Sequence, residues 1–450
     1  MEIEQSALWD EILRVITSGQ PPILRGFKAV LHGAERDIMV LKVISIDRVR
    51  DFAGKFTDEM TIEFIVQAGD FARYILSNQE SVELTLLEYP LTAVGAIENI
   101  NQPLTGERYR LVLPDIPNPL LANRMGPQPS TESLNVAATM TVSGQLINKS
   151  VEQLTMKTVG DTFRNCTIGD VLRAVMTKES MNLNVQDERQ IKGVDMVPAI
   201  NDQLKSQIVI DTPTRLVDVP AYLHHKCGGV YSSGMGYYLH QDYWHVYPLY
   251  DTTRFNTSAR TLTIINVPPN RLPSIPTTYM VDGDSLVVIA TGDRDFRDDS
   301  DQQQLNKGNG VIFANADKFM KDFIVRDGNK AIAARGTTVN EFAANQRTSG
   351  NNNLRAGINP ITANPYLEMS ALARREGSVA AFVWEHSVPE LIFPGIPTMI
   401  LYLDEDEVKQ MFGTVLMAQD YISMAGEGMT DKRHITNTGL AVFVKRDSAA

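Results

Sequence analysis

The chain has 450 residues, too many for one ordinary hydrophobic core, so two to four domains are expected. Hydrophobic residues make up 43% and charged residues 21%, the composition of a globular protein whose burial can offset its ordering entropy. A formal net charge of −12 argues against a nucleic-acid-binding surface spread over the whole molecule, although an acidic wall suits DNA that passes without being held.

The chain opens on MEIEQSALWDEILRVITSG, which is acidic and amphipathic. It lacks the basic start and apolar run of a secretion signal, and no apolar run reaches the length of a membrane span. These features predict a protein made in a cytoplasm, unanchored and without membrane insertion. Leu8, Ile12 and Val15 form one stripe of a short helix, which SGQPP breaks. The period then changes to two. In EMTIEFIVQ, residues Met60, Ile62, Phe64 and Val66 point one way; in ESVELTLLEYP, Val82, Leu84 and Leu86 repeat the pattern. Between them GDFARYILSNQ predicts a helix capped by Asp70, with Phe71, Tyr74 and Ile75 inward. DIMVLKVISIDRVRD and ERYRLVLPD add strands, so the region to residue 113 is expected to be a small antiparallel sheet or barrel with one helix.

Residues 114–130 hold five prolines and predict an irregular connection or arm. LNVAATMTVSGQLIN resumes alternation. CTIGDVLRAVMTKES predicts a helix capped by Thr167, with Val171, Leu172, Val175 and Met176 buried. DVPAYLHHKCGG predicts a second, from a cap at Asp218 through Pro220 to a stop at Gly228–Gly229. GYYLHQDYWHVYP follows as an aromatic hairpin. RTLTIINVPP and DSLVVIATGD return to strands, interrupted by polar inserts at 292–310 and 343–365. From 397 to the end the pattern is a β-meander of three or four strands, with DEDE as a hairpin turn.

The most tempting constellation is His224, His225, Cys227, His240 and His245. Cys227, His240 and His245 have the spacing of half a small zinc finger, and the set is the natural centre for a metal-dependent hydrolase. Against it, His224 and His225 fall in the last turns of a helix, where imidazole suits the dipole, and Cys227 lies one turn beyond Leu223 as a small hydrophobe. His240 and His245 flank a hairpin turn. Packed structure is therefore expected there, with no metal. The acidic run Asp293, Asp295, Asp298, Asp299 and Asp301 lacks the mid-loop glycine and closing glutamate of an EF-hand. No GxSxG or HExxH motif occurs, and the glycines of SSGMGY sit between helix and strand, the reverse of a phosphate-binding order. The two cysteines, Cys166 and Cys227, cannot build a disulfide framework.

The succession TIGDVLRAVMTK, TPTRLVDVPAYLHHKCGGVY and GYYLHQDYWHVYPLYD resembles the hub proteins of contractile phage tails, and the related tail-tip hubs and type VI secretion spike hubs. FPGIPTMILYLDEDEV and the meander after it are similar to the final barrel of such hubs. The two long inserts do not fit the family plan. The resemblance implies an α+β, mainly β chain with two tail-tube-like antiparallel β-barrel domains and a central α/β region. Its expected divisions are residues 1–165, 166–255 and 256–450. It implies a homotrimeric, non-enzymatic structural hub of a baseplate, adapting a sixfold tail tube to a threefold central spike. Expected partners are the tail tube protein, the spike protein and other baseplate proteins, with DNA passing through the channel unbound. No cofactor is implied, and the location is the virion tail, assembled in the host cytoplasm. A tube initiator or distal-tail ring on the same fold is the neighbouring alternative.

Overall fold

A computed structural model describes residues 2–21, 23–33, 35–75, 82–91, 106–113, 138–181, 191–268, 277–294, 324–327, 330–333, 366, 369–370, 373–374, 377–404, 407–426 and 433–445. Helix α1 (Glu2–Ser18) leads into strands β1 (Leu24–His32), β2 (Asp37–Met39), β3 (Lys42–Asp51) and β4 (Glu59–Gln67). Helix α2 (Ala68–Tyr74) and strands β5 (Glu83–Leu91), β6 (Gly106–Val112) and β7 (Thr139–Asn148) complete the first unit. Period-two alternation places Ile62, Phe64 and Val66 of β4 in one core with Leu84 of β5 and Leu111 of β6. Phe71 and Ile75 bury as predicted. Asp70 is not the cap: α2 starts three residues earlier than that cap implies, behind Gln67, which leaves Asp70 in the first turn, where its charge still suits the dipole.

The middle of the chain is a separate α/β unit. It comprises α3 (Lys149–Met156), β8 (Thr158–Cys166), α4 (Ile168–Met181), β9 (Gly193–Met196), β10 (Lys205–Arg215), α5 (Val219–Lys226), β11 (Met235–His240) and β12 (Tyr243–Pro248). Thr167 caps α4 through the Asp170 amide at 3.1 Å, and the predicted apolar face is buried. Asp218 stands before α5 without capping it, because its carboxylate accepts from Arg215 Nε at 2.7 Å. Strands β8 and β10 form a two-stranded ribbon that periodicity did not reveal, since most of their side chains are exposed or half-exposed. The aromatic hairpin β11–β12 turns at Gln241 and Asp242, both with positive φ, as a two-residue hairpin requires.

The last unit holds β13 (Thr261–Asn266), β14 (Tyr279–Asp282), β15 (Ser285–Arg294), the isolated pair β16 (Ile324–Asp327) and β17 (Lys330–Ala333), β18 (Gly377–Trp384), β19 (Pro397–Asp404), β20 (Glu407–Met424) and β21 (His434–Lys445). A 3-10 turn at Pro389–Leu391 separates β18 from β19. The predicted meander is β19–β20–β21, with β19 and β20 paired up to Asp404 and Glu407. The proline-rich stretch 114–130, most of the insert 292–310 and all of 343–365 lie outside the described residues.

The pairings close two rings. In the last unit the cycle is β13–β15–β18–β21–β20–β19 and back to β13. In the first it is β3–β4–β7–β6–β5–β1. Between β1 and β3 the far ends of β20 and β21 are inserted: Met417–Ser423 pair with β3, and His434 pairs with Arg25. At 18 residues, β20 is long enough to serve both rings, roughly 60 Å at strand rise, with a register shift between Val415 and Met417 where it passes from one to the other.

Taken in sequence, the six strands of each ring follow one order: first, second, third, sixth, fifth, fourth. A short extra strand, β2 or β14, follows the first strand in each. The connection from third to fourth carries α2 in one ring and the 3-10 turn in the other. One strand breaks the likeness. All pairs of the first ring are antiparallel, whereas β13 runs parallel to both β15 and β19. It enters from the α/β unit instead of from a neighbouring strand. Helix α1 packs far from its position in sequence: Leu8, Ile12 and Val15 cover Ile265, Val267, Met280 and Ile289 of the second ring.

Candidate functional site: the seam between the rings

Where the ribbon crosses from one ring to the other, the apolar pattern gives way to charge. Beyond the irregularity between Val43 and Ser45, β3 turns Ile46, Arg48 and Arg50 to one side. Arg50 is 1% exposed and Asp420 on β20 is 0% exposed. Asp420 Oδ1 accepts from Arg50 Nη2 at 2.8 Å and from Thr438 Oγ1 at 2.9 Å, and Oδ2 accepts from Arg48 Nε at 2.9 Å. Arg50 Nη1 donates to the Pro389 and Ile392 carbonyls at 2.9 and 3.1 Å, tying β3 to the 3-10 turn of the other ring. Glu390 in that turn accepts from Arg25 Nη2 at 2.5 Å and lies 3.6 Å from Arg48, while Arg25 also pairs with Glu88.

Burial alone would raise the two acids. The guanidiniums reverse that: Arg50 and Arg48 hold Asp420 below the usual carboxylate range, and Arg25 and Arg48 bring Glu390 down to about 2. Burial works against the charge of Arg48, but Asp420, Asp58 and Glu390 outweigh it and raise its pKa well above normal. Glu390 keeps 39% of its side chain exposed because it lines a recess open to water.

That recess is a cleft of about 1480 Å³ between the first ring, the β11–β12 hairpin and the 3-10 turn. Phe393 stands on its wall, with the Arg260 guanidinium 4.3 Å from the ring centre and the His240 and His245 rings at 5.3 and 5.9 Å. Tyr238 donates to Asp58 at 2.5 Å, and Tyr247 donates to the Phe52 carbonyl at 2.7 Å, so the hairpin is anchored to the loop after β3. Arg260 and Lys192 each meet a carboxylate, Asp195 and Asp242, at 3.3 Å. The basic groups of the cleft are therefore engaged with neighbouring acids. Holding three packed units in register is what this chemistry does.

The five residues singled out in the sequence divide into two places. His224 and His225 lie near the end of α5 with ring centres 5.3 Å apart, and His240 and His245 lie on the hairpin at 6.0 Å. His224 Nδ1 accepts from the Val230 amide at 3.1 Å; burial, then His225, lowers its pKa to about 4. Burial first, then Arg50, brings His240 to about 3. Cys227 ends α5, and burial, then Asp211, raises its thiol, the opposite of what a reactive thiolate needs. Among the described residues no three His, Cys, Asp or Glu side chains converge as a metal-holding group. Of the acidic run only Asp293 is described, at the end of β15; Asp295, Asp298, Asp299 and Asp301 lie outside. The seam residues Arg25, Arg48, Arg50, Glu390 and Asp420 were not found from sequence. The available signal was IDRVRD, which puts two arginines at alternate positions of an otherwise apolar face. Among the described residues no helix is long and apolar enough to cross a membrane.

No family model matches the chain, and no curated protein matches it. Among solved structures it overlaps the 43 kDa tail protein of prophage MuSo2 from Shewanella oneidensis, with TM-score 0.41, 10% identity and coverage of 92% of this chain and 96% of that one. For the tail protein from Neisseria meningitidis MC58 the values are 0.40, 11%, 94% and 97%. For E. coli c3393, a component of the type VI secretion system, they are 0.39, 7%, 93% and 77%. Overlap this loose carries no functional conclusion.

Proposed function

We propose that this chain is the structural hub of a phage tail baseplate, adapting a sixfold tail tube to a threefold central spike. The observation that carries the reading is the repeated strand order: one chain holds two closed β rings of the same cyclic connectivity, locked together by a shared ribbon. A sixfold ring and a threefold ring cannot meet through equivalent surfaces unless one subunit offers two similar contacts. Three copies of a two-ring chain offer six. The central α/β unit, which a simple tube subunit lacks, favours a hub over a tube initiator or distal-tail ring.

On this reading the rings of residues 24–148 and 261–445 are the tube-like domains expected at 1–165 and 256–450, and the hub region expected at 166–255 starts earlier, at α3. The partners are two further copies, the tail tube protein, the spike protein and other baseplate proteins, in the virion tail. The net charge of −12 suits a channel that DNA traverses without binding. The mutual pairing of the seam charges supports a role without reaction chemistry. Electron microscopy of the assembled tail tests the proposal. The expected map has three copies around a central channel, with six rings in one layer; six copies per layer would sink the adaptor reading.

A further inference from the structure

The cleft at the seam has charge on its rim and a different chemistry on its floor. The floor is the inside of the first ring. Phe27, Met60, Leu86, Tyr109, Leu146 and Ile422 line it, one residue each from β1, β4, β5, β6, β7 and the inserted end of β20, and all six belong to that ring's core. They keep 3–8% of their surface exposed, whereas Ile62, Phe64, Val66 and Leu84 of the same core keep 0–1%. The ring is therefore open at the end where β4 and β6 begin. Helix α2 covers the opposite end, with Phe71 in the core. The second ring is filled instead: Tyr238 and Tyr247 of the hairpin pack in one core with Leu262, Ile400 and Val442. Tyr109 joins floor to rim in a single side chain, since its ring lies in the core while its hydroxyl donates to Glu107.

The rim decides which head group fits. Among the described residues around the cleft, seven carboxylates stand against four cations, Arg25, Arg48, Lys192 and Arg260. Each of the four already lies within 3.3 Å of a carboxylate: Glu390, Asp420, Asp242 and Asp195 respectively. An anionic head would find these cations spent, and a cationic head would meet the surplus of negative charge. His240, brought to about 3 by burial first and then by Arg50, adds no positive charge at neutral pH.

We propose that the open mouth of the first ring binds an amphiphile with a cationic head, its apolar body against Phe27, Met60 and Leu86 and its ammonium or guanidinium group among the rim carboxylates. Barrel mouths with apolar walls and a few polar groups at the edge suit such ligands. The site does not depend on the hub reading, because all of its residues come from one chain.

The test uses the full chain with carbon-13 in its methionine methyl groups. The Met60 signal is the one lost in Met60→Leu, a change that nearly keeps the volume. Decylammonium is titrated at neutral pH below its micelle concentration, and decanoate, with the same chain and the opposite charge, is the comparison. A saturable shift of the Met60 signal is expected with decylammonium, at an affinity about tenfold or more above that of decanoate. Equal or tighter binding of decanoate would overturn the choice of head group. A Met60 signal that stays unmoved, or that moves only together with methionines throughout the chain, would overturn the site. Leu86→Trp fills the floor and should abolish the shift; a shift that survives in the folded variant would also overturn the site. Asp58→Asn keeps an acceptor for the Tyr238 hydroxyl and removes one rim charge. It should weaken decylammonium about threefold and leave decanoate no weaker. Unchanged decylammonium affinity in this variant would show that the rim does not select the head, and it decides the matter even if Leu86→Trp does not fold.

Discussion

Asp420 shows at the scale of one residue why the seam is intolerant. It is fully buried between two arginines, and its Oδ atoms take bonds from Arg48, Arg50 and Thr438. Asp420→Asn keeps the shape and removes the charge, leaving the buried Arg50 guanidinium without its carboxylate and Arg48 with Glu390 at 3.6 Å. A loss of about 3–5 kcal/mol in urea unfolding is expected. Arg50→Leu combined with Asp420→Leu should cost less than the sum of the single changes, because neither partner of that pair is left buried and alone, although Arg48 still loses its bond to Asp420; additive losses would show that the pair is not coupled. The pH response follows from the same groups. Glu390 has a folded pKa of about 2 against an ordinary 4.5, so its contribution is complete above pH 4.5 and is lost as pH falls towards 2. His224 and His240, at about 4 and 3 against 6.5, act in the same direction over a higher window: the unfolded chain takes up their protons first, so stability declines as pH falls below 6.5. Chemical denaturation across pH 3–7 should show this decline, with a smaller slope between about pH 6.5 and 5.5 in His240→Leu and an unchanged slope there in Glu390→Gln, whose own effect falls below about pH 5.

At the scale of elements, the β20–β21 ribbon is the decisive piece. Its strands contribute Val415 and Val442 to the second core and Ile422 to the first. A chain truncated after residue 390 loses β19, β20 and β21, which opens both rings and exposes unpaired strand edges. Insoluble protein is expected; a soluble, folded product would mean that the ribbon is peripheral. Deleting residues 1–19 should be milder. It uncovers Ile265, Val267, Met280 and Ile289 on the outside of the second ring without breaking a pairing. A lowered Tm with intact far-ultraviolet circular dichroism is the expected outcome.

For the whole molecule, the shared ribbon makes the two rings one mechanical body. Neither has a complete circuit of hydrogen bonds when the ribbon is gone. Calorimetry should therefore show the rings melting in a single transition. Two well-separated transitions, each removing one ring's signal, would show that they are independent domains joined in name only. The seam's buried ion pair and the Tyr247 anchor tie all three units together.

Local pattern was enough for most elements. The alternation in EMTIEFIVQ and ESVELTLLEYP is the direct imprint of a strand with one buried face, and the stripe on TIGDVLRAVMTKES is that of a helix on a core; both depend only on neighbours a few residues away. The same local chemistry showed that His224, His225 and Cys227 end a helix and that His240 and His245 belong to a hairpin. The β8–β10 ribbon was invisible because its exposed side chains leave no period to read. Three features were decided by tertiary structure alone. Helix α1 joins the second ring because Ile265 and Ile289, some 250 residues away, present an apolar face to Leu8 and Ile12. The length of β20 gained its meaning when its far half paired with β3, which the meander pattern alone did not show. Arg50 and Asp420, 370 residues apart, carry no local sign of each other and are buried because the pairing of β3 with β20 brings them together. Periodicity reports which way a side chain points; what lies on the other side of it is a property of the closed rings.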